Sequence, residues 1–299
     1  MKNFVTVGTF DGVHLGHREI LRALAREAAD IGLKSCAAYF PVPPKAVLSG
    51  KTAQSMLTLP AERERLIFNC GVDHAAPVEF TPGLSRESPE KFFAEVIIGK
   101  LHAGGLLAGQ DFAFGKNRAG HVNWLRQKCA EKNVSLVVMH FVKSGGHKIS
   151  SSAIRAFLHE GKVSEAAALL GRNYTAQGKV IKGEGVGRKL GFPTANLAVD
   201  ERKILPRGVF DARARLDGRE FCAVANVGFR PTVNPVHAAA PLCEVHILDF
   251  SRDIYGMELE VEFISLLRGE TKFGTVDELT AAIRADIAAL RQKSACRTA

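Results

Sequence analysis

The chain has no C-x-x-C pair: Cys36, Cys70, Cys129, Cys222, Cys243 and Cys296 stand far apart. Such spacing excludes a zinc cluster and a compact disulfide framework, and predicts reduced, buried thiols. Polar aromatics are scarce, with three tyrosines and one tryptophan, and the basic residues form no long run, so little is offered for stacking or tracking nucleic-acid bases. No window approaches the roughly 18 uninterrupted apolar residues of a membrane helix. The opening MKNFVTVGTFDG reaches Gly8 and Asp11 before the core of a signal peptide could form, so the expected location is the cytoplasm. A Walker A loop is missing as well: Lys45 stands where the first glycine of a motif ending in Gly50, Lys51 and Thr52 belongs.

What is present suits a soluble two-domain protein. Its 299 residues fit two ordinary domains, and 46% hydrophobic against 24% charged residues give material for real cores. Lys and Arg number 40 and Asp and Glu 31, a net charge of +9 that points to anionic partners. Because the positive charge is dispersed, small phosphates are expected rather than nucleic acid.

Apolar periodicity divides the chain. FVTVGTF (4–10) reads as a buried strand, REILRALAREAADIG (18–32) as an amphipathic helix and SCAAYF (35–40) as the next strand. Helices are predicted over 60–69, 89–100 and 122–132, and strands over 75–80, 105–109 and 135–141. Strict strand–helix alternation implies a Rossmann-like α/β domain with a parallel sheet and ligands at the carboxyl ends of its strands. Beyond Gly171 short alternating strands broken by Gly, Pro and Asn predict a small β-barrel. A C-terminal helix follows, with a capping box from Thr275 and Glu278 and apolar residues at Leu279, Ile283, Ile287 and Leu290. The expected domains are 1–160 and 172–299.

The first chemical constellation is GTFDGVHLGH (8–17), where a strand turns into a helix. Free backbone N–H groups and the positive end of the helix dipole favour an anion there, and Gly8, Gly12 and Gly16 let a ligand approach the backbone. His14 and His17 can direct ring N–H donors at one phosphate, which suits a transition state gathering negative charge. By chance an H-x-G-H pattern would arise about 0.03 times in a chain of this composition. A second segment, KISSSAIRAFLHEG (148–161), supplies serine hydroxyls at a predicted helix start and Arg155 to grip phosphate in a fork; an ordinary N-cap would use the same serines.

GTFDGVHLGH resembles the signature of the nucleotidyltransferase superfamily. Together with LLAGQDFAFGKNRAG (106–120) and the serine segment, it resembles the adenylyltransferase half of bacterial bifunctional riboflavin kinase/FAD synthetases. The resemblance implies ATP contacts from Gly8, Phe10, Asp11 and Gly16, from Asp111 and Phe112 beside the nucleotide, and from Ser150, Ser151, Ser152 and Arg155 on its phosphates. His14 and His17 are then the catalytic pair. One departure is YFPVPP (39–44), which puts Pro43 where that family carries a histidine, so an adenylyltransferase half of reduced activity is the alternative reading.

The second constellation, GKVIKGEGVGRKLGFPTANL (178–197), is a glycine-rich stretch with Gly183, Gly185 and Gly187 followed by Arg188 and Lys189, as a flap over phosphates would be. It has no G-x-G-x-x-G spacing and no surrounding βαβ unit, so it is not a dinucleotide fingerprint. FPTAN presents Thr194 and Asn196 on one side of an extended segment, two hard oxygen ligands suited to a nucleotide-bound Mg²⁺. The stretch is similar to the riboflavin kinase signature, and RGVFDARA, ANVGFRPTV, CEVHILDF, DIYG and RGETKF follow in the same order. That similarity implies that Thr194 and Asn196 hold Mg-ATP and that Glu244 takes the proton from the flavin hydroxyl. His246 shares a sheet face with Glu244 and reads as a structural strand histidine, while Phe210 stands where tyrosine is common.

The expected enzyme converts riboflavin and ATP to FMN in the barrel, then FMN and ATP to FAD and pyrophosphate in the first domain. Mg²⁺ is expected as cofactor and ATP as co-substrate, with riboflavin, FMN and FAD as ligands, no nucleic-acid or membrane partner, and a monomer or weak homo-oligomer. A synthetase-like aminoacyl activator and a flavin-binding regulatory module are the rivals.

Overall fold

The computed structural model describes residues 2–139, 149–229 and 241–295. Contacts divide the chain into two compact units, Met1–Ser151 and Ser152–Ala299.

In the first unit the chain runs β1 (Asn3–Gly8), α1 (Leu15–Asp30), β2 (Lys34–Tyr39), α2 (Pro44–Ser49), α3 (Pro60–Phe68) and β3 (His74–Pro77). A turn of helix α4 (Pro89–Lys91) leads directly into a π-helix, Phe92–Lys100, and then β4 (Ala103–Gly109). The small hairpin β5 (Ala113–Phe114) and β6 (Gly120–His121), α5 (Val122–Glu131) and β7 (Ser135–Met139) complete it. Five strands make a parallel sheet in the order β3-β2-β1-β4-β7. β1 is buried from Phe4 to Val7, as a strand covered on both faces must be. α1 turns Leu21, Ala23, Leu24 and Ala28 onto one face of the sheet, and the π-helix packs Phe92, Phe93, Val96 and Ile97 onto the other.

The regular helix expected over 89–100 is corrected: only Pro89–Lys91 is α-helical. FFAEVIIGK has no polar stripe to favour a 3.6-residue period, and the wider turn brings four large apolar side chains inward together. The strand expected over 135–141 is seen to Met139; its last two residues lie outside the described residues. α2 and the β5–β6 hairpin were not anticipated.

The second unit contains α6 (Ser151–His159), α7 (Val163–Leu170), β8 (Tyr174–Ile181), α8 (Val186–Lys189), β9 (Ala195–Val199), β10 (Gly208–Leu216), β11 (Arg219–Phe229), β12 (Pro241–Ile247), β13 (Glu258–Arg268) and α9 (Val276–Ala295). Six antiparallel strands close into a barrel in the order β10-β11-β12-β9-β8-β13. Alternate side chains fill it, with Phe210 edge-on to Phe263 at 5.3 Å between ring centroids, so an apolar ring rather than a tyrosine suits position 210.

The capping signal before α9 is present in modified form. Thr275 Oγ1 accepts from Glu278 N at 3.2 Å, while the Glu278 carboxylate accepts from Gly274 N at 2.8 Å rather than from Thr275 itself. Leu290 packs with Val209, Val224 and Leu248 on the barrel's outer surface. Cys36, Cys70, Cys129 and Cys243 are buried thiols, but Cys222 is exposed, a correction that follows from the outward half of strand alternation in β11. Cys296 lies outside the described residues.

Candidate active sites

β1 is flanked by β2 on one side and β4 on the other, so the chain order reverses beside it, and open sheets of this kind take ligands in the crevice outside the carboxyl ends of the strands at that reversal. Two predicted segments follow these strand ends: the loop after β1, and Asp111 and Phe112 just beyond β4. Asp111 is exposed and its carbonyl accepts from Arg118 at 3.3 Å; Phe112 packs against Phe114 at 5.5 Å.

The loop after β1 has an unusual backbone. Phe10, Gly12 and Val13 have φ of 48°, 85° and 37°. Only Gly12 adopts such values without cost; Val13, branched at Cβ, is a genuine outlier. The loop delivers His14 to the N-cap of α1, where its Nδ1 accepts from His17 N at 3.2 Å. A neutral His14 therefore carries its proton on Nε2, which makes that nitrogen the donor of the ring. The His14 and His17 rings stack at 3.6 Å, 14° from parallel, and Phe10 meets the edge of His17 at 5.3 Å. His17 Nδ1 is buried with no hydrogen-bond partner among the described residues. Burial, then the neighbouring His14, then Arg63 hold the His17 pKa well below the ordinary 6.5, so this ring is uncharged near neutral pH.

Asp11 does not offer its carboxylate outward. It is fully buried and paired with Arg63 at 3.0 Å, and it accepts from the amides of Leu57 and Thr58 at 3.0 Å. Its carbonyl accepts from Ser151 Oγ at 2.9 Å, a contact within the first unit. Ser150 precedes this contact; Ser152 and Arg155 stand further along α6, in the stretch grouped with the second unit. Gly8 lies under the Phe10 ring, where a Cβ would come within 2.9 Å of it, and Gly16 lies beside the His14 ring. Pro43, buried, ends its own extended segment and starts α2, its carbonyl accepting from Ala46 N at 2.8 Å. Sequence reading missed Arg63 and Thr58. A signal existed for Arg63: it shares the inward face of α3 with Ile67.

In the barrel, a cavity of about 280 Å³ brings together Thr194, Asn196, Glu244 and His246 with Gly185 and Gly187 of the flap. Strand register explains the grouping, since Glu244 stands opposite Asn196 on one side and Asn226 on the other. Asn196 is buried and its Oδ1 has no hydrogen-bond partner among the described residues. An unpartnered oxygen acceptor beside a threonine hydroxyl fits a hard cation such as Mg²⁺. Among the described residues no group of three or more His, Cys, Asp or Glu is placed to hold a metal ion.

The flap is not featureless, because Val186–Lys189 forms the short helix α8. Gly183 is packed so closely on Asn196 that a Cβ would lie 2.3 Å from its amide nitrogen. His246 Nδ1 contacts the Pro193 carbonyl at 2.8 Å, tethering the FPTAN turn, which agrees with a structural reading of that residue. The apolar face of α9 does two things: Leu290, with Ile287 beside it, packs on the barrel, and Leu279, Ile283 and Ile287 wall the cavity. Arg268, held by Asp286 at 3.0 Å, and Asn226 also line the cavity and were not singled out from sequence.

A second hollow of about 450 Å³ lies beyond the FPTAN turn, lined by Arg188, Phe250, Arg252 and Tyr255. Thr194 lines both hollows. Lys189, next to Arg188, is exposed on the flap.

Known proteins resemble both halves. The FAD synthetase family pattern matches residues 1–153 and the riboflavin kinase pattern residues 170–294. The chain is 34% identical over 290 residues to a bifunctional riboflavin kinase/FMN adenylyltransferase of Pseudomonas fluorescens, covering 97% of this chain and 92% of that protein. With the protein of the same description from Haemophilus influenzae it shares 35% identity over 287 residues, 95% of this chain and 91% of the relative. A crystal structure described as a macrolide-efflux protein from Streptococcus pneumoniae superposes with a TM-score of 0.87 at 31% identity, covering 97% and 94% of the two chains. Among the described residues no helix is long and apolar enough to cross a membrane.

Proposed function

The chain belongs to the bifunctional riboflavin kinase/FMN adenylyltransferase family, and we propose from that membership and the two sites that each half performs one of two consecutive reactions. Riboflavin and ATP give FMN and ADP; FMN and ATP give FAD and pyrophosphate. We assign the first reaction to residues 172–299 and the second to residues 1–160.

In the adenylyl transfer an oxygen of the FMN phosphate forms a bond to the ATP α-phosphorus as the bond to the bridging oxygen of pyrophosphate breaks. The nucleophile is already an anion, so no base is needed. Negative charge accumulating on the α-phosphoryl oxygens meets the His14 Nε2–H, the His17 ring and the amides at the start of α1. Asp111 and Phe112 are assigned to the nucleotide, and Ser150, Ser151, Ser152 and Arg155 to the ATP phosphates. Asp11 contributes through the loop it holds rather than by touching ATP with its carboxylate. Pro43 caps α2 where the family carries a histidine, so an adenylyltransferase half of reduced activity stays the second reading.

In the kinase half Glu244 takes the proton of the riboflavin terminal hydroxyl, whose oxygen attacks the γ-phosphorus of ATP while ADP leaves. Thr194 and Asn196 would hold Mg²⁺, which when bound neutralises charge on the transferring phosphates. Thr194 stands between two hollows of different character: the α9 side, walled by Leu279, Ile283 and Ile287, suits an isoalloxazine ring, and the Arg188 side suits a nucleotide. Gly183, Gly185, Gly187 and Lys189 complete the flap over the phosphates. The protein acts in the cytoplasm on small phosphorylated substrates, as a monomer or weak homo-oligomer.

The observation that carries this division is the placing of carboxylates. Glu244 faces the Thr194–Asn196 pair, whereas the acid beside the histidines, Asp11, is occupied by Arg63. Incubation of the chain with riboflavin, ATP and Mg²⁺ should yield FMN and then FAD by chromatography, and FMN with ATP should yield FAD and pyrophosphate without ADP. ADP release in the second mixture would refute the adenylyl assignment.

A further inference from the structure

Arg63 is a fully buried cation to which neither reaction gives a task. A lone buried charge is expensive, so its partners define what it holds. Nη1 donates to the carbonyls of Thr9 at 3.1 Å and Phe40 at 2.6 Å. Nη2 donates to Asp11 Oδ1 at 3.0 Å and the Thr58 carbonyl at 2.8 Å, and Nε donates to Thr58 Oγ1 at 3.2 Å. These acceptors belong to three separate segments: the loop after β1, the end of β2 and the approach to α3.

Thr58 extends the web, because its Oγ1 also accepts from Gly12 N at 3.0 Å. The loop is thus held at Thr9, Asp11 and Gly12, on both sides of Phe10 and just before Val13, its two left-handed non-glycine residues. A backbone in that conformation persists only where its surroundings over-determine it. Immediately after it come His14, which caps α1, and His17, which stacks on His14.

We propose that Arg63 is a positioning residue for adenylyl transfer: its guanidinium, through Asp11 and Thr58, locks the left-handed turn that sets His14 and His17 against each other before substrate arrives. This rests on the adenylyl-transfer reading of the site. The fork geometry is essential, since the guanidinium makes five donor contacts from three nitrogens and an ammonium has only three donors on one. The charge has a second consequence in the same direction: with burial and His14 it keeps His17 uncharged, while Asp11 balances Arg63 itself.

The test compares Arg63→Lys and Thr58→Val with the parent in the full-length chain. Arg63→Lys should lower kcat for FAD formation on the order of 100-fold, as a misplacement of about 1 Å does, with little change in KM for ATP. Riboflavin phosphorylation should be unaltered. Thr58→Val, which removes a hydroxyl and no charge, should shift kcat the same way by about 10-fold, and it decides the matter if Arg63→Lys does not fold. ¹⁵N spectra of the imidazoles give a readout independent of turnover. The parent should show His14 protonated on Nε2 and His17 uncharged at pH 6.5; both variants should show averaged tautomers, with His17 titrating nearer its ordinary range. Parental kcat and parental ring spectra in a folded variant would overturn the proposal, as would lost activity with unchanged rings, the mark of a merely structural pair. If the parent makes no FAD, the reading of the reaction fails while the ring spectra still decide whether Arg63 positions the histidines.

Discussion

The two sites handle phosphoryl groups with opposite economies of structure. Around β1 the buried Asp11, Thr58 and Arg63 satisfy one another, and two stacked imidazoles follow them at the start of α1. In the barrel unit a carboxylate, Glu244, and an amide oxygen, Asn196 Oδ1, line one cavity, and the amide oxygen has no hydrogen-bond partner among the described residues. The difference follows the nucleophile. A phosphate monoester arrives as an anion and asks only for stabilisation of its transition state, whereas a flavin hydroxyl must be deprotonated as it attacks.

That contrast breaks most sharply at Glu244. Glu244→Gln should cut riboflavin phosphorylation by about 100-fold to 10,000-fold, the usual range for a general base, while FAD formation from supplied FMN continues. Near-parental phosphorylation would show that Glu244 is not the base. His17→Ala should do the reverse, lowering FAD formation on the order of 100-fold or more with phosphorylation preserved. Equal loss of both products would dissolve the separation of sites.

The smallest expected effect concerns pH. His17 has a folded pKa below its unfolded value near 6.5, so the unfolded chain takes up the proton first. Stability from this group is complete above pH 6.5 and falls as pH drops toward the folded pKa, by at most about 1.4 kcal/mol per pH unit. Melts at pH 7.5 and 5.5 should therefore show a smaller loss for His17→Asn than for the parent; equal losses would remove the depressed pKa.

Much of this arrangement was legible in the sequence. The glycine-spaced loop, the histidines at a strand-to-helix turn, the alternation that puts Thr194 and Asn196 on one side, and the capping pair before α9 are all local patterns. What escaped was non-local or aperiodic. Arg63 meets Asp11 across the intervening α1, β2, α2 and their connections, and nothing near either residue encodes the pairing. FFAEVIIGK offered no period from which a π-helix could be told from an α-helix. The role of Leu279, Ile283 and Ile287 as a cavity wall depends on where α9 lies, which its sequence periodicity does not specify.

The closure of β10-β11-β12-β9-β8-β13 has one more consequence. A sheet joined end to end offers no row of free amides and carbonyls to a neighbouring molecule, whereas the parallel sheet terminates on β3 and β7. Nature has kept β3 to four residues and finished it with Pro77, a blunt margin that discourages recruitment of foreign strands. On heating, aggregation should therefore begin from the unit with the open sheet, and partial proteolysis of the heated sample should leave the barrel unit as the longer-lived fragment.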